Sequence, residues 1–278
     1  MNNKKSKTKK INAKKIFLTK GTCSFTFFYI LNREYGHPRE MEEKALDPLA
    51  GGILQQGYQC GMLWGASMAV GAESFRRHDD AGLATAVAIR ATQQLMKSFE
   101  NRTKCIDCED FTKIDFKNKL QFAKHMITGK FWSCFKLADK WAPEAIEAAN
   151  EGLSQDQIDF KFSPISCASE VVKKMGGSDE EIMMVAGFAG GMGLSGGGCG
   201  ALAAAIWMNI LKLLREGKWK SGFSDPDTEK VIEKFYEATN YEMECHKICG
   251  KRFNSLDEHT GFINSGGCEK LINVLSQI

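Results

Sequence analysis

The chain has 278 residues, 43% of them hydrophobic and 26% charged, the balance of a globular protein rather than of a disordered or fibrous one. Its formal charge of +3 is unevenly placed: residues 1–20 hold eight lysines and no acid, so the body without them stands at −5. A mildly acidic body excludes nucleic-acid binding by charge, and the lysines read as a flexible basic tail, 1–20, that touches anionic surfaces weakly at most. Lys20 interrupts the apolar stretch that follows and no small-residue cleavage site comes after it, so the start does not read as a signal peptide. A cytoplasmic, reducing compartment is therefore expected, where ten cysteines point to redox or metal chemistry rather than a disulfide framework.

After the tail, Thr22 is placed to cap a helix that begins at Cys23 and runs through SFTFFYILNREYG. Helices are expected over 61–77 and 81–99, the second amphipathic with Leu83, Val87 and Leu95 on compatible positions. Two more are expected over 116–129 and 131–149, the latter interrupted at Pro143. Residues 151–164, EGLSQDQIDFKFSP, read as a linker, because Gly152, Ser154 and Pro164 break the helical pattern. Ser166 then caps a helix at Cys167, and Ser178 with Glu181 forms a capping box that opens EIMMVAGFAGG. A glycine-rich loop leads to Cys199, where a helix starts, reaches Arg215 or Glu216 and is capped by Gly217. Asp225 and Pro226 read as the N-cap and first residue of a helix that continues through Phe235 and Tyr236 to Cys245. Gly266, Gly267 and Cys268 introduce the closing helix EKLINVLSQ, and no β alternation of useful length is present. A cysteine in a first helical turn sits at the positive end of the dipole, which lowers its pKa.

The uncharged stretch 183–211 is long enough to cross a bilayer. It holds eight glycines, and its earlier counterpart contains Asp47, Gln55, Gln56 and Gln59, so it reads as buried core and no membrane span is expected.

That counterpart is a repeat. Residues 50–66, AGGILQQGYQCGMLWGA, slide by 139 positions onto AGGMGLSGGGCGALAAA with eight identities in 17 positions and no gap. The cysteines divide five and five in one order: a lone cysteine after Thr or Ser (Cys23, Cys167), a Cys–Gly (Cys60, Cys199), a close pair (Cys105 and Cys108, Cys245 and Cys249) and a lone cysteine (Cys134, Cys268). A domain-sized period means tandem duplication rather than a solenoid.

Segments SCASEVVKKMGG, GGGCGALAAA, ECHKICG and GGCEKLINVL make the second half resemble the C_GCAxxG_C_C family of redox-active proteins throughout. The first half resembles it as a degenerate copy. Ala204 replaces the last glycine of the family's CGAxxG segment, whereas the first half keeps that glycine as Gly65 and replaces the alanine by Met62. The resemblance implies a helical fold and a redox or metal role, and names no substrate. Its pattern assigns Cys167, Cys199, Cys245 and Cys268 to one site and Cys23, Cys60, Cys105 and Cys134 to another, with Cys249 and Cys108 auxiliary as resolving thiols or spare ligands.

The expected architecture is all-α: two tandem helical-bundle repeats, 21–150 and 151–278, packed about a pseudo-twofold axis. Backbone N–H groups of Gly196, Gly197, Gly198 and Gly200 are expected to converge on the Cys199 sulfur or on what it holds. The first chemical reading is an iron–sulfur cluster on four thiolates, carrying electrons between partner proteins that the sequence does not name. The alternatives are thiol–disulfide exchange, structural zinc, or a non-catalytic metal-binding module. Gly191, Gly193 and Gly196 spell G-x-G-x-x-G, but no strand precedes them, so a dinucleotide site is rejected. His37, His78, His125, His246 and His259 are not expected to recur between the halves, and only His246, beside Cys245, is weighed as a ligand.

Overall fold

A computed structural model describes residues 12–115, 118, 131–155, 157–219 and 226–277. Among them are fourteen α-helices and no strand, only two isolated backbone bridges, so the fold is all-α. In the first half these are α1 (Ala13–Lys20), α2 (Cys23–Glu34), α3 (Glu40–Lys44), a 3-10 turn (Asp47–Leu49), α4 (Gly61–Arg77), α5 (Ala81–Thr103), α6 (Cys108–Thr112) and α7 (Trp132–Leu153). In the second half they are α8 (Cys167–Lys174), α9 (Asp179–Met184), a 3-10 turn (Ala186–Phe188), α10 (Gly200–Arg215), α11 (Pro226–Thr239), α12 (Cys245–Ile248), α13 (Leu256–Asn264) and α14 (Glu269–Ser276).

The starts follow local chemistry. Thr22 accepts the N–H of Phe25 at the head of α2, Ser166 accepts that of Ser169 at the head of α8, and Ser178 with Glu181 forms both halves of a capping box on α9. Gly217 has φ +67° just beyond the end of α10, where a left-handed residue closes a helix.

Other boundaries differ from the sequence expectations for identifiable reasons. Residues 13–20 form α1, with Asn12 as cap and Ala13 and Phe17 buried; the Phe17 ring lies 4.4 Å from Phe135, so this part of the basic stretch is folded onto α7. Helix α7 continues through Pro143, which is exposed, as is Asp139, whose carbonyl loses its partner to the proline and can face water. Gly152 lies inside α7 rather than breaking it: a Cβ there would come within 2.4 Å of the Ala91 Cα on α5. Helix α9 stops at Met184, and α11 ends at Thr239 rather than reaching Cys245, because Asn240 and Tyr241 turn left-handed with φ +52° and +63°. The helix expected over 116–129 and the cap Asp225 lie outside the described residues.

Buried aromatics fill the interior. Trp141 lies between Phe27 and Phe99 at 4.7 and 4.8 Å, and the Trp64 and Trp207 indoles donate to the carbonyls of Gln59 and Glu42. Burying such a side chain is worth roughly 1.5–3 kcal/mol.

The repeats exchange contacts. Helix α9 packs on α4 of the first half while α3 packs on α10 of the second, and each 3-10 turn touches the other repeat's long central helix. Gly71 has no room for a side chain, since a Cβ would lie 2.5 Å from the Met183 carbonyl oxygen. Glu180 pairs with Arg39 and Arg76 across the same seam. No described helix is long and apolar enough to cross a membrane, and the stretch 183–211 is divided among α9, the turn, the glycine loop and α10.

Candidate redox centres

Most cysteines of each repeat stand at helix starts. In the second, Cys167 is the first residue of α8, Cys199 is the N-cap of α10, Cys245 opens α12 with Cys249 at its end, and Cys268 is the N-cap of α14. The Cys249 sulfur lies 3.9 Å from that of Cys245 and 3.8 Å from that of Cys268. Cys167 and Cys199 stand close enough to act electrostatically on this group.

Burial overrides the helix dipole at two of these thiols. Cys167 receives the Gly190 N–H and Cys199 the N–H groups of Ala201 and Leu202, yet desolvation pushes them up to about 11 and about 12. The pKa lowering expected from a first helical turn is therefore reversed at both. Cys249 goes the other way: the Cys245 and Cys268 thiols donate to its sulfur and hold it well below the ordinary thiol range, while those two are pushed up. Cys249 and Cys268 are half-exposed, whereas Cys167, Cys199 and Cys245 are buried. The sequence ranked Cys249 as auxiliary; its sulfur stands between the other two.

The glycine loop is shaped by contact with its own protein. Gly191, at φ +78°, would press a Cβ against Gly197 at 2.7 Å and against the Cys245 Cβ at 2.9 Å. The Gly196 N–H goes to the Gly190 carbonyl, that of Gly197 to the Ser195 hydroxyl and that of Gly198 to the Gln59 side chain. Thus these N–H groups are not the ones aimed at the Cys199 sulfur; Ala201 and Leu202 supply those. The carbonyls of Gly196 and Gly197 accept the His246 and Cys245 N–H groups, which seats α12 beside the loop. Gly200 allows the Phe188 carbonyl oxygen to approach where a Cβ would lie only 1.9 Å away.

Gln59 ties this loop to the first repeat. Fully buried, it donates to the Gly191 carbonyl at 2.9 Å and accepts the Gly198 N–H at 3.0 Å. Residues 59 and 198 are 139 positions apart, so equivalent places in the two repeats touch each other.

The same backbone ladder fixes which cysteines correspond. Cys60 N–H donates to the Ile106 carbonyl and Cys199 N–H to that of Met243; Cys108 N–H donates to Tyr58 and Cys245 N–H to Gly197. The bridges Gln59–Asp107 and Gly198–Glu244 complete the match. Cys108, not Cys105, is therefore the counterpart of Cys245, and Thr112 occupies the place of Cys249. In the first repeat Cys23 lies against Cys60, whose thiol is the main influence lowering it, and Cys60, Cys108 and Cys134 are all pushed up. Burial is the largest cause at Cys108 and Cys134, while at Cys60 it is second to the bond to Cys23. Cys105 precedes α6 in a non-helical segment and donates to the Thr103 carbonyl, so it shares no helix face with Cys108.

His246, weighed as a ligand, is bound through Nδ1 to the Gly196 carbonyl at 2.8 Å. His259 was overlooked. It is buried on α13, its Nδ1 lies 3.1 Å from the Ile165 carbonyl, and burial pulls it down to about 4 while the Cys249 charge acts against that. The missed signal is its spacing: His259 stands nine residues before Cys268, as His125 stands nine before Cys134.

All ten cysteines are free thiols. Their sulfurs are the right kind of donor for a soft metal, but among the described residues no group of three or more His, Cys, Asp or Glu side chains is arranged to hold a metal ion. Cys245, Cys249 and Cys268 form a run of adjacent thiols.

The family model described as "Putative redox-active protein (C_GCAxxG_C_C)" matches residues 22–147 and again 165–278, so the chain belongs to this family and carries two copies of it. No curated protein and no solved structure matches the chain.

Proposed function

We propose that this member of a redox-active family works by thiol–disulfide exchange in its second repeat, with Cys249 as the exchanging thiolate and Cys245 or Cys268 as its resolving partner. The observation that carries the reading is the Cys249 sulfur lying 3.9 and 3.8 Å from two other thiols. Closing either pair brings the sulfurs to about 2.05 Å. It releases two protons and two electrons, which a partner disulfide takes up as it opens to two thiols. The depressed Cys249 supports this, since the thiolate is the nucleophile.

A second reading rests on the donor set. Five cysteine sulfurs in one repeat are the ligands that an iron–sulfur cluster uses, and such a cluster would supply one-electron transfer. No step is derived through it. Anaerobic purification followed by iron, zinc and sulfide analysis, and then titration against a dithiol buffer, separates the readings. Exchange predicts a two-electron titration with little metal. Stoichiometric iron with sulfide would replace it by the cluster, and zinc without a redox transition by a structural module.

A further inference from the structure

Two half-exposed apolar side chains stand on one seam of the first repeat, among lysines. Leu18 on α1 and Trp132 at the head of α7 are each 50% exposed. Lys14 lies over the Trp132 ring, 5.3 Å from its centroid, and Leu18 is one turn beyond Lys14 on the same face of α1. Phe135 backs the Trp132 ring at 5.4 Å and packs in turn on Phe17 at 4.4 Å. Both apolar side chains are therefore set on helices that pack against each other, not on a loop.

Positive charge collects around them. Lys14, Lys15 and Lys20 belong to α1, and Lys136 and Lys140 follow Trp132 by one and two turns of α7, against one acid, Asp139, in 132–140. Among the described residues none of these five lysines makes an ion pair, although lysines elsewhere do. Residues 1–11, which lead into α1, add five more lysines and no acid, whereas the chain beyond residue 20 is net acidic. Lysines alone hold an anionic surface by a small, salt-screened attraction each. An exposed leucine and indole add the second kind of contact, because tryptophan rests at the headgroup level of a bilayer and apolar side chains enter the layer beneath. Phe17 and Phe135 are buried, so this face gives successive bases no row of rings to stack on, which favours lipid over single-stranded nucleic acid.

We propose that the α1–α7 face docks on an anionic lipid bilayer, with Leu18 and Trp132 entering the headgroup layer and the lysines of α1, α7 and the segment before them meeting the lipid phosphates and carboxylates. The protein would lie on the membrane without crossing it. The docking uses no thiol and is independent of the exchange chemistry.

The test measures binding of the full chain to vesicles of phosphatidylserine and phosphatidylcholine in equal parts, and to vesicles of phosphatidylcholine alone. Binding is expected to the mixed vesicles only, and to be lost as salt rises from about 0.1 to 1 M and the Debye length shrinks from about 10 to 3 Å. Lys14→Gln with Lys15→Gln should weaken it about thirtyfold, at about fivefold for each lysine. Lys173→Gln with Lys174→Gln, exposed on α8, should change it by less than about twofold. Leu18→Ala with Trp132→Ala should weaken it about tenfold. Trp64, Trp141 and Trp207 are fully buried and Trp219 is half-buried, so a blue shift of tryptophan emission on binding reports Trp132. Trp132→Phe should keep the binding and lose the shift. Equal binding to both kinds of vesicle, binding without a shift, or equal loss from the α1 and α8 lysine pairs would overturn the proposal. Tighter binding to a single-stranded oligonucleotide than to the mixed vesicles would overturn it in favour of a nucleic-acid surface.

Discussion

The two repeats share one frame and differ at two sulfurs: Cys249 in the second stands where the first has Thr112, and Cys105 in the first stands where the second has Glu242. In both, a glycine loop leads to a cysteine that caps a long helix, and a short helix pairs with that loop through equivalent backbone hydrogen bonds. The second repeat has Cys249 one turn beyond Cys245, with its sulfur between two others. The first has Thr112 there, and its hydroxyl donates to the Cys108 carbonyl at 2.7 Å. A duplicated scaffold thus keeps its packing while its adjoining thiols differ: Cys249 stands between two sulfurs in the second repeat, and Cys23 lies against Cys60 in the first.

The largest effect is expected from removing that sulfur. Cys249→Ser should abolish the fast thiol, slowing alkylation by iodoacetamide about a hundredfold at pH 6, where an ordinary thiol is mostly protonated. Cys108→Ser, in the first repeat, should leave the fast phase intact. The sign follows from the pKa direction: a thiol held below its usual range stays a thiolate as pH falls, so the unaltered protein should react nearly as fast at pH 6 as at pH 8. A rate that falls with pH like that of a free thiol would remove Cys249 from its position.

Next in size is the frame itself. Gly200→Ala places a Cβ 1.9 Å from the Phe188 carbonyl oxygen, on backbone that cannot swing aside. It should destabilise the protein by about 1–3 kcal/mol. Gly261→Ala, inside α13 with nothing within 4 Å, should instead stabilise it by roughly 0.4–1 kcal/mol. Chemical denaturation of the pair measures the contrast, and two similar shifts would show that the loop tolerates more than its packing implies.

The link between the repeats comes third. Gln59→Ala leaves the Gly191 carbonyl and Gly198 N–H without their buried partner. A loss of about 1–3 kcal/mol is expected, together with slower exchange at Cys249, because the loop that seats α12 loosens. Unchanged kinetics would mean that the first repeat does not support the second.

Helix starts, the duplication, the family and the all-α class were legible because each is a local or recurrent signal. Thr22, Ser166 and Ser178 announce their helices by side chains that can cap them, and the Cys–Gly pairs recur at fixed offset. What the sequence misled on was register. Two close cysteine pairs invite pairing with each other, yet the backbone ladder shifts them so that Cys108 meets Cys245 and Cys105 falls outside. Glycines were likewise read as an open cradle, when Gly198 faces a side chain from the other repeat that no local pattern announces. Burial of Cys167 and Cys199, which outweighs the helix dipole, depends on that same packing between distant segments.

The smallest change sharpens the comparison from the other side. Thr112→Cys gives the first repeat a sulfur at the place of Cys249, and should add a second oxidisable pair with Cys108. A slower second phase in thiol titration is its signature, since Cys108 is buried and pushed well up. No added phase would show that the position alone does not make the thiol active.

The most direct test of the account is peptide mapping of the intact chain after reaction with one equivalent of a neutral disulfide oxidant, with free thiols trapped in acid. The account predicts a single intramolecular disulfide joining Cys249 to Cys268 or Cys245, with Cys23, Cys60, Cys108 and Cys134 still reduced. A first disulfide within the first repeat, or one that leaves Cys249 free, would contradict it.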